Sequence, residues 1–317
     1  MKYSFVIPCY NSALTISQVV EETAAEMGRL GRGDYEFILV NDCSPDGGKT
    51  VEVLCELADK YEFVRVIDLA KNAGQHNAVM AGLNYSSGEI IVGMDDDMQT
   101  HPSQLGKLFT EFEKGYDIVY GYYPEKKHSL FRNLGSRFNH FTVRMLIGKP
   151  KELKTSSYWM IRRFIKEAVI QYQSPYTYLQ GLFLRTTQNI SSVPIQHFKR
   201  EVGHSNYTFR KLVRLWGNIL GFSIVPLRLS VYCGYLFSGI SIIGAAAILV
   251  RKMLNPSMAL GWPSLMVATC FFSGITLLFM GLIGEYIGRM FLQINRQPQY
   301  VVRQVISNES TKNNKEE

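Results

Sequence analysis

Two long stretches without a charged side chain lie in the last third of the chain, and they constrain the fold more than any other feature. They run from Leu229 to Val250 and from Leu260 to Gly284. A helix needs roughly 20 apolar residues to cross the hydrocarbon core of a bilayer, and both stretches reach that length. The alternative is a pair of buried core helices, but core helices rarely stay free of charge for so long. The sequence therefore predicts a transmembrane hairpin of two helices.

Basic residues on both sides of these stretches predict the orientation of the hairpin. The loop between the two stretches carries only Arg251 and Lys252. The segments outside the hairpin carry more basic residues, namely Arg210, Lys211, Arg214 and Arg228 before it and Arg289, Arg296 and Arg303 after it. Because cytoplasmic flanks carry the excess of Lys and Arg, we expect a multi-pass protein of the inner (plasma) membrane whose N-terminal region and tail face the cytoplasm.

The first part of the chain alternates short apolar segments with amphipathic ones. Predicted strands cover residues 3–8, 35–41, 63–69, 89–95 and 117–122. Predicted helices lie near residues 14–30, 48–60, 74–86 and 103–114. Strands rich in Val and Ile that alternate with helices indicate an α/β fold whose mostly parallel sheet is flanked by helices.

Polar side chains follow four of these strands at the point where each strand ends. They are Tyr10 and Asn11, Asn41 and Asp42, Lys71 and Asn72, and Asp95 to Asp97. In parallel sheets, ligands bind beyond the carboxyl ends of the strands. The sequence therefore predicts one polar site at that edge.

The carboxylates Asp95, Asp96 and Asp97 repel one another, and a divalent cation would relieve that repulsion. Mg²⁺ and Mn²⁺ take oxygen ligands and share their coordination shell with substrate phosphates. On a strand, Asp95 and Asp97 point to the same side, and Gln99 adds a neutral oxygen. A solvated acidic turn or a helix cap is the alternative. The chain has neither GxxxxGK[ST] nor GxGxxG, which excludes a P-loop and leaves a dinucleotide fold unsupported.

Two basic amphipathic segments lie outside the predicted sheet, at residues 130–147 and 207–224. Their aromatic and basic residues suit the membrane interface, although the first also fits a helix packed on the sheet. The predicted organisation is a cytoplasmic catalytic domain over 1–206, a juxtamembrane amphipathic helix over 207–228, two spans within 229–288, and a cytoplasmic tail over 289–317 with a disordered end.

Six motifs occur in an order that resembles the family-two glycosyltransferases of the GT-A fold. They are FVIPCYN, LVNDCSPDGG, KNAGQHNAVMAGL, GMDDDMQTHP, YLQGLF and FKREVGHSNY. The resemblance is to the branch that makes polyprenyl-phosphate sugars, such as dolichol-phosphate mannose synthase and the bacterial undecaprenyl-phosphate glycosyltransferases. It covers residues 3 to 290, including the two spans.

That resemblance implies roles for individual residues. It implies that the nucleotide sugar is bound by Pro8, Tyr10, Asn11, Ser12, Val40, Asp42, Lys71, Asp95, Asp96 and Ser205. The metal, Mg²⁺ or Mn²⁺, would be held by Asp95, Asp97 and Gln99. Asp97 and Arg200 would act in catalysis, and Arg132 and Ser136 would hold the phosphate of the lipid acceptor.

The implied reaction is transfer of a sugar, with inversion, from a nucleotide sugar to undecaprenyl phosphate. Its product would be a lipid-linked sugar for cell-envelope glycan or lipid modification. The acceptor phosphate is already ionised near neutral pH, so the protein mainly has to align it and to neutralise the departing diphosphate. UDP is the favoured nucleotide, while UDP-glucose, a UDP-linked amino sugar and GDP-mannose all remain open. A homo-oligomer packed through the spans is also left open.

Three positions depart from the family pattern. Ser12 stands where the family usually has Glu, Thr155 to Ser157 offer hydroxyls where relatives often have Asp, and Tyr122 and Tyr123 stand where an Arg is common. These departures put the selection of the sugar in doubt rather than the metal and nucleotide core.

Three other functions are weighed against this one. A processive polysaccharide synthase normally carries Gln-x-x-Arg-Trp, and the chain has no Arg-Trp dipeptide. A non-catalytic nucleotide-sugar-binding membrane protein would fit the departures at Ser12 and Thr155. The net charge of +7 would also suit a nucleic-acid binder, but no motif supports that function, and we expect no nucleic-acid partner.

Overall fold

The computed structural model describes residues 1–124, 150, 152–196, 198, 225–254 and 261–308. Within these residues the eight strands are β1 Tyr3–Cys9, β2 Tyr35–Asn41, β3 Val64–Leu69, β4 Ile90–Gly93, β5 Ile118–Tyr122, β6 Trp159–Arg162, β7 Ile190–Pro194 and β8 Val302–Ser307. The helices are α1 Ile16–Arg29, α2 Lys49–Lys60, α3 Gln75–Tyr85, α4 Leu105–Phe112, α5 Arg163–Val169, α6 Leu179–Thr186, α7 Val225–Leu254 and α8 Trp262–Ile294, with a 3₁₀ turn at Pro102–Gln104.

The eight described strands form one sheet in the order β7-β5-β6-β4-β1-β2-β3-β8. The central pairs β4–β1, β1–β2 and β2–β3 are parallel, as is β5–β7. The strands β6 and β8 each pair antiparallel with their neighbours. The predicted mostly parallel sheet flanked by helices is therefore confirmed, with antiparallel strands added at β6 and β8.

The alternation of side chains along β1 divides the core into two layers. Phe5 and Ile7 face the layer that contains α1 and α2, whereas Val6 faces the layer that contains α3. All three side chains are fully buried. Since a central parallel strand is covered on both faces, an almost continuous apolar sequence is what β1 requires.

The helices α7 and α8 are long and apolar enough to cross a membrane, and their candidate spans are Val225–Ile248 and Val267–Ile294. Neither span is buried inside the protein, which argues against the alternative of buried core helices. The helix α8 extends ten residues beyond the predicted end at Gly284, to Ile294. Glu285 and Arg289 form an ion pair of 2.7 Å one turn apart, so these charges lie within the helix and do not end it.

The strand β8 was not predicted, because the sequence after the second apolar stretch was assigned to a tail. It pairs antiparallel with β3 at one edge of the sheet. The amphipathic segments predicted at 130–147 and 207–224, the domain boundary at residue 206 and the end of the tail lie outside the described residues.

Candidate active site

The carboxyl ends of β4, β1 and β2 lie side by side in the sheet and bring three polar loops together. The backbone N–H of Tyr10, after β1, donates to Oδ2 of Asp96, after β4, at 3.2 Å. The backbone N–H of Asp42, after β2, donates to the carbonyl oxygen of Cys9 at 3.0 Å. The predicted convergence of polar residues at this edge is therefore present in the structure.

The loop that follows β1 is fixed by hydroxyl groups of neighbouring elements. Asn11 has φ of 59°, in the left-handed region that Asn tolerates better than most residues. Its backbone N–H donates to Ser44 Oγ at 3.1 Å, and the Ser12 N–H donates to Thr50 Oγ1 at 3.0 Å. The side chain of Tyr10 is 47% exposed at the tip of this loop, where a flat ligand could pack on it.

Asp42 joins the loops that follow β2 and β3. Its Oδ1 accepts a hydrogen bond of 2.6 Å from the Ala73 N–H, and its Oδ2 accepts one of 2.9 Å from the Gly74 N–H. Burial raises the pKa of Asp42, and these two bonds oppose that effect. Each oxygen has a second lone pair, so the carboxylate can hold the loop and still accept a bond from a ligand.

Asp95 follows β4 and is held between two side-chain donors. Gln75 Nε2, in the first turn of α3, donates to Oδ1 at 2.9 Å, and Ser157 Oγ donates to Oδ2. Burial raises the pKa of Asp95 to about 7, and the charges of Asp97 and Asp96 add to the rise. The hydrogen bonds from Ser157 and Gln75 act in the opposite direction by stabilising the ionised carboxylate.

Asp96 points towards the loop after β1 instead. Its Oδ2 accepts hydrogen bonds from Ser12 Oγ and from the Tyr10 N–H. Burial raises the pKa of Asp96 against the effect of both bonds. Ser12, where the family usually has Glu, therefore supplies a donor that stabilises a partly buried carboxylate.

Asp97 is the last carboxylate of the acidic turn. Burial raises the pKa of Tyr123, and the charges of Asp95 and Asp97 add to that rise. Asp97 Oδ1 accepts from the Gln99 N–H at 3.1 Å, and Tyr123 Oη donates to the Gln99 carbonyl oxygen at 3.2 Å. Because β4 ends at Gly93, Asp95 and Asp97 lie beyond the strand, and their pairing stays a prediction.

The acidic turn has an unusual backbone conformation at Met98. This residue has φ of 58°, which a bulky side chain rarely adopts, and its side chain is 2% exposed within the core. Burial of the Met98 side chain anchors the turn, so the strain is offset by packing beneath the carboxylates.

No group of three or more His, Cys, Asp or Glu side chains is arranged as a metal site among the residues that the structure describes. The carboxylates nevertheless fit a divalent cation whose shell is completed by a ligand's phosphates. Burial raises the pKa of Asp95 and the charges of Asp97 and Asp96 add to the rise, so a cation between the carboxylates would favour their ionised forms. The metal ligands predicted at Asp95, Asp97 and Gln99 stay a prediction.

The remaining predicted site residues differ in how accessible they are. Pro8 lies near the end of β1, and Lys71 is exposed directly after β3. Val40 is fully buried in the core on the α3 side of the sheet, so its side chain belongs to the hydrophobic layer rather than to the site. Arg132, Ser136, Arg200 and Ser205 lie outside the described residues.

Two residues of the site were not assigned a role from sequence, namely Gln75 and Ser157. Ser157 was noted only as a hydroxyl in place of a common Asp, and the structure adds its bond to Asp95. Gln75 lies within KNAGQHNAVMAGL, one of the motifs that carry the family resemblance. That motif could have indicated Gln75 as a site residue.

Substitution of Ser157 by Ala is expected to shift the pH dependence of activity. The Ser157 hydroxyl stabilises ionised Asp95, so its loss raises the pKa of this carboxyl further above its ordinary value. If Asp95 acts as a carboxylate, the acidic limb of kcat/KM moves to higher pH and the rate at mildly acidic pH falls about threefold to tenfold. The measurement is kcat/KM across the neutral range.

The matched control is Ser191→Ala, which removes a hydroxyl bonded to Glu111 at 2.7 Å, away from the acidic turn. An unchanged pH profile in the Ser157 variant would contradict the role of this hydroxyl.

Comparison with known proteins now identifies the family. Residues 4–170, more than half of the chain, match the family model described as glycosyl transferase family 2. The chain belongs to glycosyl transferase family 2. The GT-A-type fold predicted from the motifs is thereby confirmed, and the site at the carboxyl ends of the strands lies within a glycosyltransferase domain.

Two curated relatives match this glycosyltransferase over nearly its whole length. The undecaprenyl-phosphate 4-deoxy-4-formamido-L-arabinose transferase of Photorhabdus laumondii is 31% identical over 323 residues, covering 100% of this chain and 98% of the relative. The protein of the same name from Yersinia enterocolitica is 32% identical over 320 residues, covering 99% and 97%.

Two solved structures are also similar to this chain. Glucosyl-3-phosphoglycerate synthase from Mycobacterium tuberculosis has a TM-score of 0.48 at 18% identity, with 70% of this chain and 80% of the other covered. Mannosyl-3-phosphoglycerate synthase from Rubrobacter xylanophilus has a TM-score of 0.48 at 18% identity, with 72% and 74% covered.

Proposed function

We propose that this protein transfers a sugar from a nucleotide sugar to undecaprenyl phosphate, with inversion at the anomeric carbon and with UDP as the favoured nucleotide. The observation that carries the proposal is the match, over 99–100% of the chain, to relatives named as transferases that act on undecaprenyl phosphate. The polar site at the carboxyl ends of the strands and the two apolar helices support it.

The proposed reaction requires little proton transfer by the protein. One oxygen of the lipid phosphate forms a bond to the anomeric carbon while the bond from that carbon to the nucleoside diphosphate breaks, and the electron pair leaves with the diphosphate. A phosphate is already ionised near neutral pH, so alignment of the reactants and stabilisation of the leaving group dominate catalysis. The loop after β1 and Asp42 are suited to orient the nucleoside.

A divalent cation, Mg²⁺ or Mn²⁺, is part of the proposal. Asp97 and Asp95 would hold it, with Gln99 as a further oxygen ligand, and it would supply charge neutralisation at the departing diphosphate. Hydrogen bonds from Ser157 and Gln75 favour the ionised form of Asp95 and fix its orientation, and the bond from Ser12 does the same for Asp96. Arg200 is the proposed second cationic partner of the diphosphate.

Membrane attachment explains how the enzyme reaches an acceptor whose isoprenoid tail stays in the bilayer. Because β8 follows α8 and pairs with β3, the chain before α7 and the chain after α8 belong to one sheet. If both helices span the membrane, the chain enters the membrane before α7 and leaves it after α8 on the same side. The end of α8 contacts the catalytic domain, since the Arg289 guanidinium lies 4.6 Å from the centroid of the Tyr176 ring. A cytoplasmic catalytic domain on the inner membrane completes the proposal.

The most specific part of the proposal is the identity of the sugar that is transferred. The relatives are named for 4-deoxy-4-formamido-L-arabinose. In this chain Ser12 and Ser157 contact the partly buried carboxylates Asp96 and Asp95 at positions where the wider family often has acidic residues. Because of the relatives' names, we place a nucleotide-linked 4-deoxy-4-formamido-L-arabinose among the candidate donors, beside UDP-glucose, a UDP-linked amino sugar and GDP-mannose.

The test is to incubate membranes containing the protein with undecaprenyl phosphate and each radiolabelled nucleotide sugar in turn, and then to extract the lipid. We expect one donor to label the lipid in a reaction that requires a divalent cation. Failure of every donor, with the protein shown to be present and folded, would overturn the transferase proposal and favour the non-catalytic binder.

A further inference from the structure

The strand β8 places one arginine at an irregular position beside the sheet. Gln304 is paired with Asp68 and Val302 with Leu69, so Arg303 is an extra residue between two pairs. Such a bulge re-aims the side chain of the extra residue and is common next to functional sites. The Arg303 guanidinium lies against β3 and the residue that follows it, where it contacts Asp68 and the carbonyl oxygen of Ala70.

Arg303 binds a carboxylate that is almost completely inaccessible to solvent. Arg303 Nη1 lies 3.2 Å from Asp68 Oδ2, and Asp68 is 1% exposed. Arg303 Nη2 also donates to the carbonyl oxygen of Ala70 at 3.4 Å. A buried carboxylate needs a cation and hydrogen-bond donors, and Arg303 supplies the cation.

Asp68 in turn fixes the orientation of an amide at the end of β2. Asn41 is the partner of Asp68 in the parallel register, and its Nδ2 donates to Asp68 Oδ1 at 2.7 Å. This bond directs the Asn41 carbonyl oxygen, Oδ1, away from Asp68. That oxygen accepts from the Ser44 hydroxyl at 2.7 Å and from the Ser44 N–H at 3.2 Å.

Ser44 completes the connection to the loop after β1. The Ser44 hydroxyl donates its hydrogen bond to Asn41, so its oxygen is free to accept one from the backbone N–H of Asn11, at 3.1 Å. Asn11 is the residue held at φ of 59°. A continuous series of hydrogen bonds therefore joins Arg303, beyond the second apolar helix, to the loop that is proposed to lie under the nucleotide.

We propose that Arg303 is a positioning residue for the donor site, acting through Asp68, Asn41 and Ser44 on the conformation of Asn11. This inference rests on the proposed function for the identity of the ligand, but the conformational effect on the loop does not. The segment that follows the membrane hairpin thus takes part in shaping the nucleotide-binding edge of the sheet. This segment would therefore support the donor site as well as add an edge strand to the sheet.

The test compares three variants of the full chain in detergent. Arg303→Met removes the cation and both hydrogen bonds, and Arg303→Lys keeps a positive charge at Asp68. Asn308→Ala is the matched control, because Asn308 Nδ2 anchors the far end of the same segment to the Asp59 carbonyl oxygen at 3.2 Å and has no bond in the series. Thermal unfolding of each variant is measured beside the functional readouts.

Two readouts separate positioning from simple anchoring of β8. The first is amide hydrogen exchange of the peptides that contain residues 9–12 and 42–46, compared with peptides from β8. The second is the dissociation constant for UDP and for GDP, each titrated with Mn²⁺, together with KM for the donor and kcat once a donor is known.

We expect Arg303→Met to speed exchange in both loops and to weaken nucleotide binding and raise the donor KM about threefold to tenfold. The kcat should change by less than about twofold, because the loop acts in binding. Arg303→Lys should recover part of the loss, and Asn308→Ala should leave both loops unchanged. Combination of Arg303→Met with Asn41→Ala should add little to either single effect, since both interrupt one series.

Unchanged loop exchange in Arg303→Met, or additive effects in the double variant, would overturn the inference. So would an equal loosening of the loops by Asn308→Ala, which would reduce Arg303 to an anchor of the strand. If the parent binds neither nucleotide, the proposed donor site fails, and loop exchange alone still decides whether Arg303 positions the loop.

Discussion

Replacement of Asp97 by Asn is expected to lower turnover about 100- to 1000-fold while the protein stays in the membrane. Loss of one well-placed group that stabilises developing charge has an effect of this size in other enzymes. Asn keeps the shape of the side chain and the acceptor for the Gln99 N–H, so the turn is preserved. The measurement is the rate of lipid labelling at saturating donor, with membrane retention followed in parallel.

The fold of the Asp97→Asn variant provides an internal control. Removal of one of three neighbouring carboxylates reduces repulsion, so the thermal midpoint without divalent cations should not fall. Asp34→Asn, an exposed carboxylate beside the opposite end of β2, is the matched substitution and should leave turnover unchanged. Full activity of the Asp97→Asn variant, or full activity of the parent after divalent cations are chelated, would contradict the proposed role.

Replacement of Gly93 by Ala is expected to destabilise the catalytic domain by about 1–3 kcal/mol, the usual cost of overpacking a core. Gly93 is the last residue of β4 and is paired with Trp159 on β6. A Cβ at Gly93 would overlap the Cζ2 and Cε2 atoms of the Trp159 ring. That ring is buried and contacts Phe183 edge-on with centroids 5.0 Å apart, so it has little room to move. The measurement is the free energy of unfolding.

Two further variants test the cause of this loss. Gly28→Ala, in α1, meets no atom within 4 Å and should be neutral or slightly stabilising, because Ala favours a helix more than Gly does. Combination of Gly93→Ala with Trp159→Leu should cost less than the sum of the two single changes, because the smaller side chain removes the overlap. Full additivity would show that the Trp159 ring is not the cause.

The local features of the catalytic domain were predictable because they repeat along the chain. Strands such as β1 and β2 are continuous apolar runs, and helices such as α1 have apolar residues at helical spacing. The position of Asp95 to Asp97 was predictable for the same reason, since a strand that ends in carboxylates must open onto a polar edge. The two apolar helices were predictable from the length of the two apolar stretches and from the absence of charged residues in them.

The features that were missed depend on pairing between distant segments. β8 is a short edge strand with exposed side chains, and only its register with β3 defines it. Ser157 reaches Asp95 across 62 residues of sequence, through the antiparallel pairing of β4 with β6. The two bonds that Asp42 accepts from the loop after β3 were also not predictable, because backbone donors leave no signature in side-chain identity.

We propose that the acidic turn would hold a divalent cation together with the donor diphosphate, beside the bilayer. The most direct measurement is anomalous scattering from a crystal of the full chain grown with Mn²⁺ and a nucleoside diphosphate. We expect a manganese peak between Asp97 and Asp95 that contacts the diphosphate, with the nucleoside on the loop after β1. A bound nucleotide elsewhere, with no peak between these carboxylates, would contradict it.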